Sequence, residues 1–91
     1  MNALIIEDEK PSARYLQRML EKQGVTVNHM LHSVAEAIEW FKNNEHPELI
    51  FLDIQLSDGL SFEIFDEVEV KSAIIFTTAF DEYALQAFKL N

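Results

Sequence analysis

Several residue types are absent or scarce in this sequence, and each scarcity excludes a class of site. Cysteine is absent, which excludes a disulfide framework, a thiol nucleophile and a cysteine-based zinc site. Lys and Arg number 7 against 16 Asp and Glu, a net charge of −9, so the chain lacks the basic surface that binds nucleic acid. Apolar runs stay well below the ~20 residues of a membrane span, and no basic-then-apolar leader opens the chain. We therefore expect a cytoplasmic protein that binds neither nucleic acid nor a membrane through this chain.

Glycine and proline are also scarce, at two residues each, which leaves little room for linkers or long loops. Apolar residues make up 48% and charged residues 25% of the 91 residues, the balance of a folded domain rather than a disordered one. A chain of this length forms one domain or part of one. We treat residues 1–91 as a single domain.

Three runs are continuously apolar over the length of a strand: residues 3–6, 49–52 and 73–76. Continuous apolarity is typical of strands buried on both faces, as in parallel sheets covered by helices. Residues 25–27 (Val-Thr-Val) form a weaker, more polar candidate that suits a position nearer the sheet edge.

Helical patterns separate these runs. The first begins near Pro11 and ends at Gly24. The second has Ser33 as N-cap, with Glu36 three residues later in the arrangement of a capping box. The third covers about residues 60–68, and the last starts at Asp81. The order βαβαβαβα predicts a doubly wound parallel α/β sheet; the alternative, a bundle of short core helices, fits the short Ile-rich runs less well.

Polar side chains follow each strong strand. Glu7 and Asp8 follow the first, Asp53 follows the third, and Thr77 and Thr78 follow the fourth. Parallel strands all end at the same side of the sheet, where ligands bind in such folds, so these groups should meet in one crevice. Clustered carboxylates repel unless a cation intervenes, and Mg²⁺ with oxygen ligands resolves this. A carboxylate at the centre is also a candidate nucleophile that forms an acyl phosphate.

These motifs resemble the receiver domain of bacterial two-component response regulators, most closely the branch with a LytTR-type DNA-binding domain. The resemblance is carried by four separated segments in order: residues 4–9 (Leu-Ile-Ile-Glu-Asp-Glu), 49–56 (Leu-Ile-Phe-Leu-Asp-Ile-Gln-Leu), 58–59 (Asp-Gly) and 75–84 (Ile-Phe-Thr-Thr-Ala-Phe-Asp-Glu-Tyr-Ala). It implies a flavodoxin-like fold with strand order 2-1-3-4, and a phosphoacceptor rather than an enzyme.

The resemblance also implies a role for individual residues. Asp53 corresponds to the aspartate that accepts phosphate from the phosphohistidine of a sensor histidine kinase. Glu7 and Asp8, together with Asp53 and the backbone carbonyl of Gln55, correspond to the ligands of Mg²⁺. Thr78 corresponds to the switch hydroxyl, with Thr77 as the competing choice.

The sequence departs from the family pattern in two places. The segment from Asp53 to Gly59 is shorter than in many receivers, and Leu56-Ser57 stands where Met-Pro is frequent, so we expect a tighter loop after the third strand with the metal ligand retained. The fifth strand and helix of a full receiver, with the lysine that pairs with phosphate, do not occur before Asn91; Lys71 precedes the fourth strand and Lys89 lies late in the last helix. We expect a receiver without its fifth βα unit, which exposes the fourth strand and favours a homodimer or segment-exchanged oligomer.

Two alternative functions remain open from the sequence. One is a docking or dimerisation module that works without phosphorylation. The other is a haloacid-dehalogenase-like phosphohydrolase, which has a second Asp two residues after its nucleophile, where this chain has Gln55.

Other residues have plainer interpretations. His29, His32 and His46 are interpreted as surface histidines, and Trp40 as a packing residue. The acidic run of Glu63, Asp66, Glu67 and Glu69 is interpreted as a solvated helix face, and Phe80 and Tyr83 as candidates for coupling to the switch.

Overall fold

The computed structural model describes residues 1–77, which form alternating strands and helices. In chain order the elements are β1 (Asn2–Ile6), α1 (Lys10–Lys22), β2 (Thr26–Leu31), α2 (Val34–Asn43), β3 (Leu49–Leu52), β4 (Gln55–Leu56), β5 (Gly59–Leu60), α3 (Phe62–Glu67) and β6 (Ala73–Phe76). The helix expected from Asp81 lies outside the described residues.

The four long strands form one parallel sheet in the order β2-β1-β3-β6. This order confirms the predicted 2-1-3-4 arrangement, with β6 as the strand that the sequence placed fourth. Strands β4 and β5 pair separately as a two-residue antiparallel hairpin. The fold is therefore a doubly wound parallel sheet within residues 1–77.

The sheet buries both of its faces, which explains the continuous apolar runs. Ala3 and Ile5 pack on the α1 side, whereas Leu4 and Ile6 pack on the side of α2 and α3. All four are at most 1% exposed. Successive strand residues point to opposite faces, so a strand between two helical layers needs apolar residues at every position.

Strand β2 is longer than the predicted residues 25–27 because a β-bulge hides its pattern. Ala3 pairs with Val27 and Leu4 with His29, so Asn28 has no register partner. The extra residue keeps Val27 and Met30 on the α1 side, which breaks the simple period of two. The polar Asn28 and His29 are exposed, as an edge position allows.

Helix α1 begins at Lys10, with Pro11 in its first turn, and ends at Lys22. Gly24 follows with φ of 83°, and its N–H donates to the Glu21 carbonyl at 3.1 Å, so the predicted glycine stop is confirmed. Met19 of this helix is 47% exposed, whereas Ala13 is fully buried against the sheet. No helix among residues 1–77 is long and apolar enough to cross a membrane.

Helix α3 begins two residues later than predicted because residues 59–60 belong to the hairpin. Gln55 pairs with Leu60 and Leu56 with Gly59, so the chain turns back directly after β3. This hairpin occupies the segment for which the sequence predicts a tighter loop. Gly59 has φ of 149°, a conformation that side chains rarely adopt, which explains a glycine at this turn.

Candidate functional site

The predicted acidic residues meet at the carboxyl ends of β1 and β3. The Glu7 N–H donates to the Leu31 carbonyl at 2.9 Å, and the Asp53 N–H donates to the Ile6 carbonyl at 3.0 Å. These bonds continue the sheet pairing one residue beyond each strand and hold the two chain ends side by side. Carboxylate oxygens of Glu7, Asp8 and Asp53 consequently lie within 4.8 Å of one another. The three residues form the acidic pocket.

The acidic pocket raises the pKa of Glu7 to about 7. Partial burial of the carboxyl is the largest cause, because removal from water disfavours the charged form. The Glu9 N–H, which donates to Glu7 Oε2 at 3.1 Å, opposes this effect. A hydrogen bond with the Asp8 side chain and the negative charge of Asp53 raise the pKa further. The charged form of Glu7 is therefore less favourable in the pocket than in water.

The donor set of the acidic pocket fits a hard divalent cation. Three carboxylates at this separation offer oxygen ligands, and Mg²⁺ commonly uses one or two carboxylates with water and phosphate oxygens completing its shell. Each of the three residues is half-buried, so the pocket is partly open to solvent. Gln55, whose backbone carbonyl is the predicted ligand, lies two residues beyond Asp53. It is the first residue of β4 and is exposed.

Thr77, the residue that follows β6, lies at the same end of the sheet as the acidic pocket. The Thr77 N–H donates to the Leu52 carbonyl at 3.0 Å, so Thr77 continues the β6 pairing as Asp53 continues that of β3. Thr78, the predicted switch residue, lies outside the described residues. Phe80, Tyr83 and Lys89 lie outside them as well.

Asp58 has a role that the sequence did not reveal. Its Oδ1 accepts from the Val34 N–H at 2.8 Å and its Oδ2 from the Ala35 N–H at 3.0 Å. These two bonds lower the pKa of Asp58. Asp58 thereby caps α2 alongside Ser33, whose Oγ accepts from the Glu36 N–H at 3.0 Å. No local signal predicts a cap supplied from 24 residues away.

The interpretation of all three histidines as surface residues is wrong for two of them. His29 is exposed, but His32 and His46 are half-buried. His32 Nδ1 lies 2.8 Å from the Glu7 carbonyl oxygen. His46 Nδ1 accepts from the Lys71 N–H at 3.2 Å, which leaves Nε2 to donate to the Phe41 carbonyl at 3.0 Å. Both rings form hydrogen bonds with backbone groups of other segments of the chain, and the sequence alone does not show which segments come together.

The interpretations of Trp40 and of the acidic run are confirmed. Trp40 is half-buried and packs edge-on against Phe41, with ring centroids 5.4 Å apart. The four acidic residues of the run on and after α3 are all exposed: Glu63, Asp66, Glu67 and Glu69. Lys71 precedes β6 and so lies at the amino end of this strand, whereas the acidic pocket lies at the carboxyl ends of the strands.

Comparison with known proteins identifies one family. A family model described as the response regulator receiver domain matches residues 3–91. The sensory transduction protein LytT of Bacillus anthracis is 37% identical over 95 aligned residues, which cover 100% of this chain and 38% of LytT. The transcriptional regulatory protein LytR of Staphylococcus aureus is 38% identical over 95 residues, with 100% of this chain and 38% of LytR covered. The chain thus spans less than half the length of these relatives.

A solved structure supports the same fold. The crystal structure of a two-component response regulator from Clostridium difficile aligns with a TM-score of 0.72 at 27% sequence identity. The alignment covers 98% of this chain and 75% of that protein.

Proposed function

Because the chain belongs to the response regulator receiver domains, we propose that it is the phosphoacceptor switch module of a two-component system, with Asp53 as the acceptor. The observation that carries this proposal is the acidic pocket, in which Asp53 from β3 lies beside Glu7 and Asp8 from the end of β1. Such a pocket suits phosphoryl transfer, because that reaction depends on positioning and on stabilising charge.

In the proposed reaction, a carboxylate oxygen of Asp53 attacks the phosphorus atom of a phosphohistidine on a sensor histidine kinase. The new bond is an acyl phosphate, and the phosphorus–nitrogen bond breaks as the kinase imidazole leaves. The Asp53 backbone is fixed by its hydrogen bond to the Ile6 carbonyl, so the side chain starts from a defined position at the strand end. Later hydrolysis of the acyl phosphate resets the module, which makes it a signalling protein rather than an enzyme.

The residues that would hold Mg²⁺ are Glu7, Asp8, Asp53 and the backbone carbonyl of Gln55. When bound, the cation neutralises the charge that develops on the phosphoryl oxygens. The raised pKa of Glu7 supports this assignment, because partial burial, its largest cause, disfavours the charged carboxylate, and a bound cation would stabilise that charged form.

We further propose that phosphorylation changes the surface beyond β6, through Thr78, and that this change controls a DNA-binding output domain. The similarity to LytR, a transcriptional regulatory protein of which the chain covers 38%, supports this part of the proposal.

The test is a titration of the protein with beryllofluoride at a constant Mg²⁺ concentration, followed by backbone amide NMR shifts. We expect shifts at Glu7, Asp8 and Thr77 in the unmodified chain and none in the Asp53→Asn variant. Asp66→Asn, which removes the same charge from the exposed face of α3, is the matched control and should respond like the unmodified chain. An equal response in Asp53→Asn would contradict the proposal and favour a module that works without phosphorylation.

A further inference from the structure

His32 is bonded to the backbone of the acidic pocket. Its Nδ1 lies 2.8 Å from the carbonyl oxygen of Glu7, and its side chain is half-buried. A carbonyl oxygen only accepts hydrogen bonds, so the imidazole donates here, and Nδ1 carries the proton. The bond joins the end of β2 to the segment that carries Glu7 and Asp8.

His32 is itself anchored from the other side of the pocket. The next residue, Ser33, caps α2, and the Asp58 carboxylate accepts from the Val34 and Ala35 N–H groups at 2.8 and 3.0 Å. Asp58 belongs to the turn of the hairpin that directly follows Asp53. Residues 32–35 are therefore bonded to the segment that carries Glu7, through His32, and to the hairpin after Asp53, through Asp58.

We propose that His32 is a positioning residue that holds residues 7–8 at a fixed distance from Asp53, through its hydrogen bond to the Glu7 carbonyl and the Asp58-capped start of α2. The inference rests on the proposed function where Mg²⁺ binding is concerned, and on geometry alone where the backbone is concerned.

The bond has a physical task because the three carboxylates repel one another at separations within 4.8 Å. The strand-side bonds, Glu7 N–H to Leu31 and Asp53 N–H to Ile6, hold the backbone as it enters the pocket. The His32 bond acts at the Glu7 carbonyl, the point where the chain leaves β1. Partners that orient ligand-bearing groups in this way commonly affect metal affinity by ~10–100-fold.

The test compares His32→Asn, His32→Leu and, as a control, His29→Leu. Asn places an amide N–H near the position of Nδ1 and keeps the donor, whereas Leu fills similar space without one. His29 is an exposed residue of β2, the strand that ends just before His32. We measure hydrogen exchange at the Asp8 and Glu9 amides without metal, the Mg²⁺ dissociation constant from NMR shifts, and the urea midpoint of each full chain.

We expect His32→Leu to speed exchange at these two amides beyond the change in global stability and to weaken Mg²⁺ binding about tenfold. His32→Asn and His29→Leu should stay within about twofold of the unmodified chain.

Equal behaviour of His32→Leu and His32→Asn would overturn the inference, as would faster exchange spread evenly over β1 and β2 in proportion to lost stability. If the unmodified chain binds no Mg²⁺, the proposed function fails, while the exchange comparison still decides whether His32 positions the pocket.

Discussion

The raised pKa of Glu7 makes the folding stability of the chain depend on pH. This pKa of about 7 lies above the ordinary 4.5, mainly because of burial, so between these values the folded chain binds more protons than the unfolded chain. Folding stability is therefore lost as pH rises through this window. Above pH 7 the folded state carries the full cost of an ionised Glu7.

Glu7→Gln should remove this cost. In metal-free protein at pH 8 we expect the variant to gain about 1 kcal/mol in free energy of unfolding, a modest figure because solvent screens a partly exposed carboxyl. At pH 4.5 the gain should vanish, since Glu7 is then largely protonated. Urea denaturation at the two pH values measures both. Glu45→Gln, at an exposed residue, makes the same charge change and should show no such pH dependence; an equal gain there would refute the assignment to Glu7.

Asp58 gives the second prediction at this scale. Asp58→Ala removes both cap bonds to α2 and should lower the free energy of unfolding by about 1 kcal/mol. Because the pKa of Asp58 is lowered on folding, its contribution is present above the unfolded-state pKa and is lost as pH falls through the folded-state value. Asp58→Asn keeps one good acceptor, so its free energy of unfolding should lie between those of the unmodified chain and Asp58→Ala. Ser57→Ala serves as the neutral control. Urea midpoints at neutral and acidic pH decide; an unchanged midpoint for Asp58→Ala would show that the cap is dispensable.

At the scale of elements, the β4–β5 hairpin depends on Gly59. A Cβ built at this position would lie 2.6 Å from Glu63 Oε2, the atom that accepts from the Leu60 N–H, and φ is 149°. Gly24 also has positive φ, at 83°, but a Cβ there meets nothing within 4 Å. An alanine at Gly24 would therefore suffer backbone strain alone, whereas an alanine at Gly59 would suffer both backbone strain and steric contact.

Gly24→Ala should cost about 1 kcal/mol of stability, and Gly59→Ala should cost more. Repeating Gly59→Ala in a Glu63→Ala background should bring its cost down towards that of Gly24→Ala, which a double-mutant cycle measures. Additive effects of the two substitutions would mean that Glu63 is not the group in conflict.

The elements also show what the sequence revealed and what it concealed. The buried strands and the Ser33 cap were predicted because their signals are local: an unbroken apolar run, or a hydroxyl three residues before an amide. The extent of β2 was missed because the bulge at Asn28 shifts its period. The roles of His32, His46 and Asp58 were missed because each bonds to backbone 5 to 25 residues away. The acidic pocket was predictable because parallel topology alone brings strand ends together.

At the scale of the whole molecule, the two flanks of the sheet differ in character. Within residues 1–77, β6 pairs with β3 on one flank only, and its residues Ala73 and Ile75 are exposed, the latter by 44%. Exposed apolar residues on a strand at the end of a sheet favour pairing with a second chain.

We therefore expect self-association through β6, and we expect Ile75→Lys to raise the dimer dissociation constant at least about tenfold. Sedimentation velocity over a concentration series measures this. Tyr15→Lys, at a residue of α1 that is 60% exposed, is the matched control and should leave association unchanged. A compact monomer at high concentration would contradict the prediction.

The extra residue in β2, Asn28, affects how many copies such an assembly can contain. Asn28 interrupts the ladder along the opposite flank, so a second copy laid against β2 would meet a step rather than a regular row of donors and acceptors. Among the strands of residues 1–77, association through β6 alone would form pairs and stop, because pairing uses up that flank. With two such flanks, copies would add end on end into a ribbon without a defined length. A single unpaired asparagine would thus separate a finite complex from a fibre.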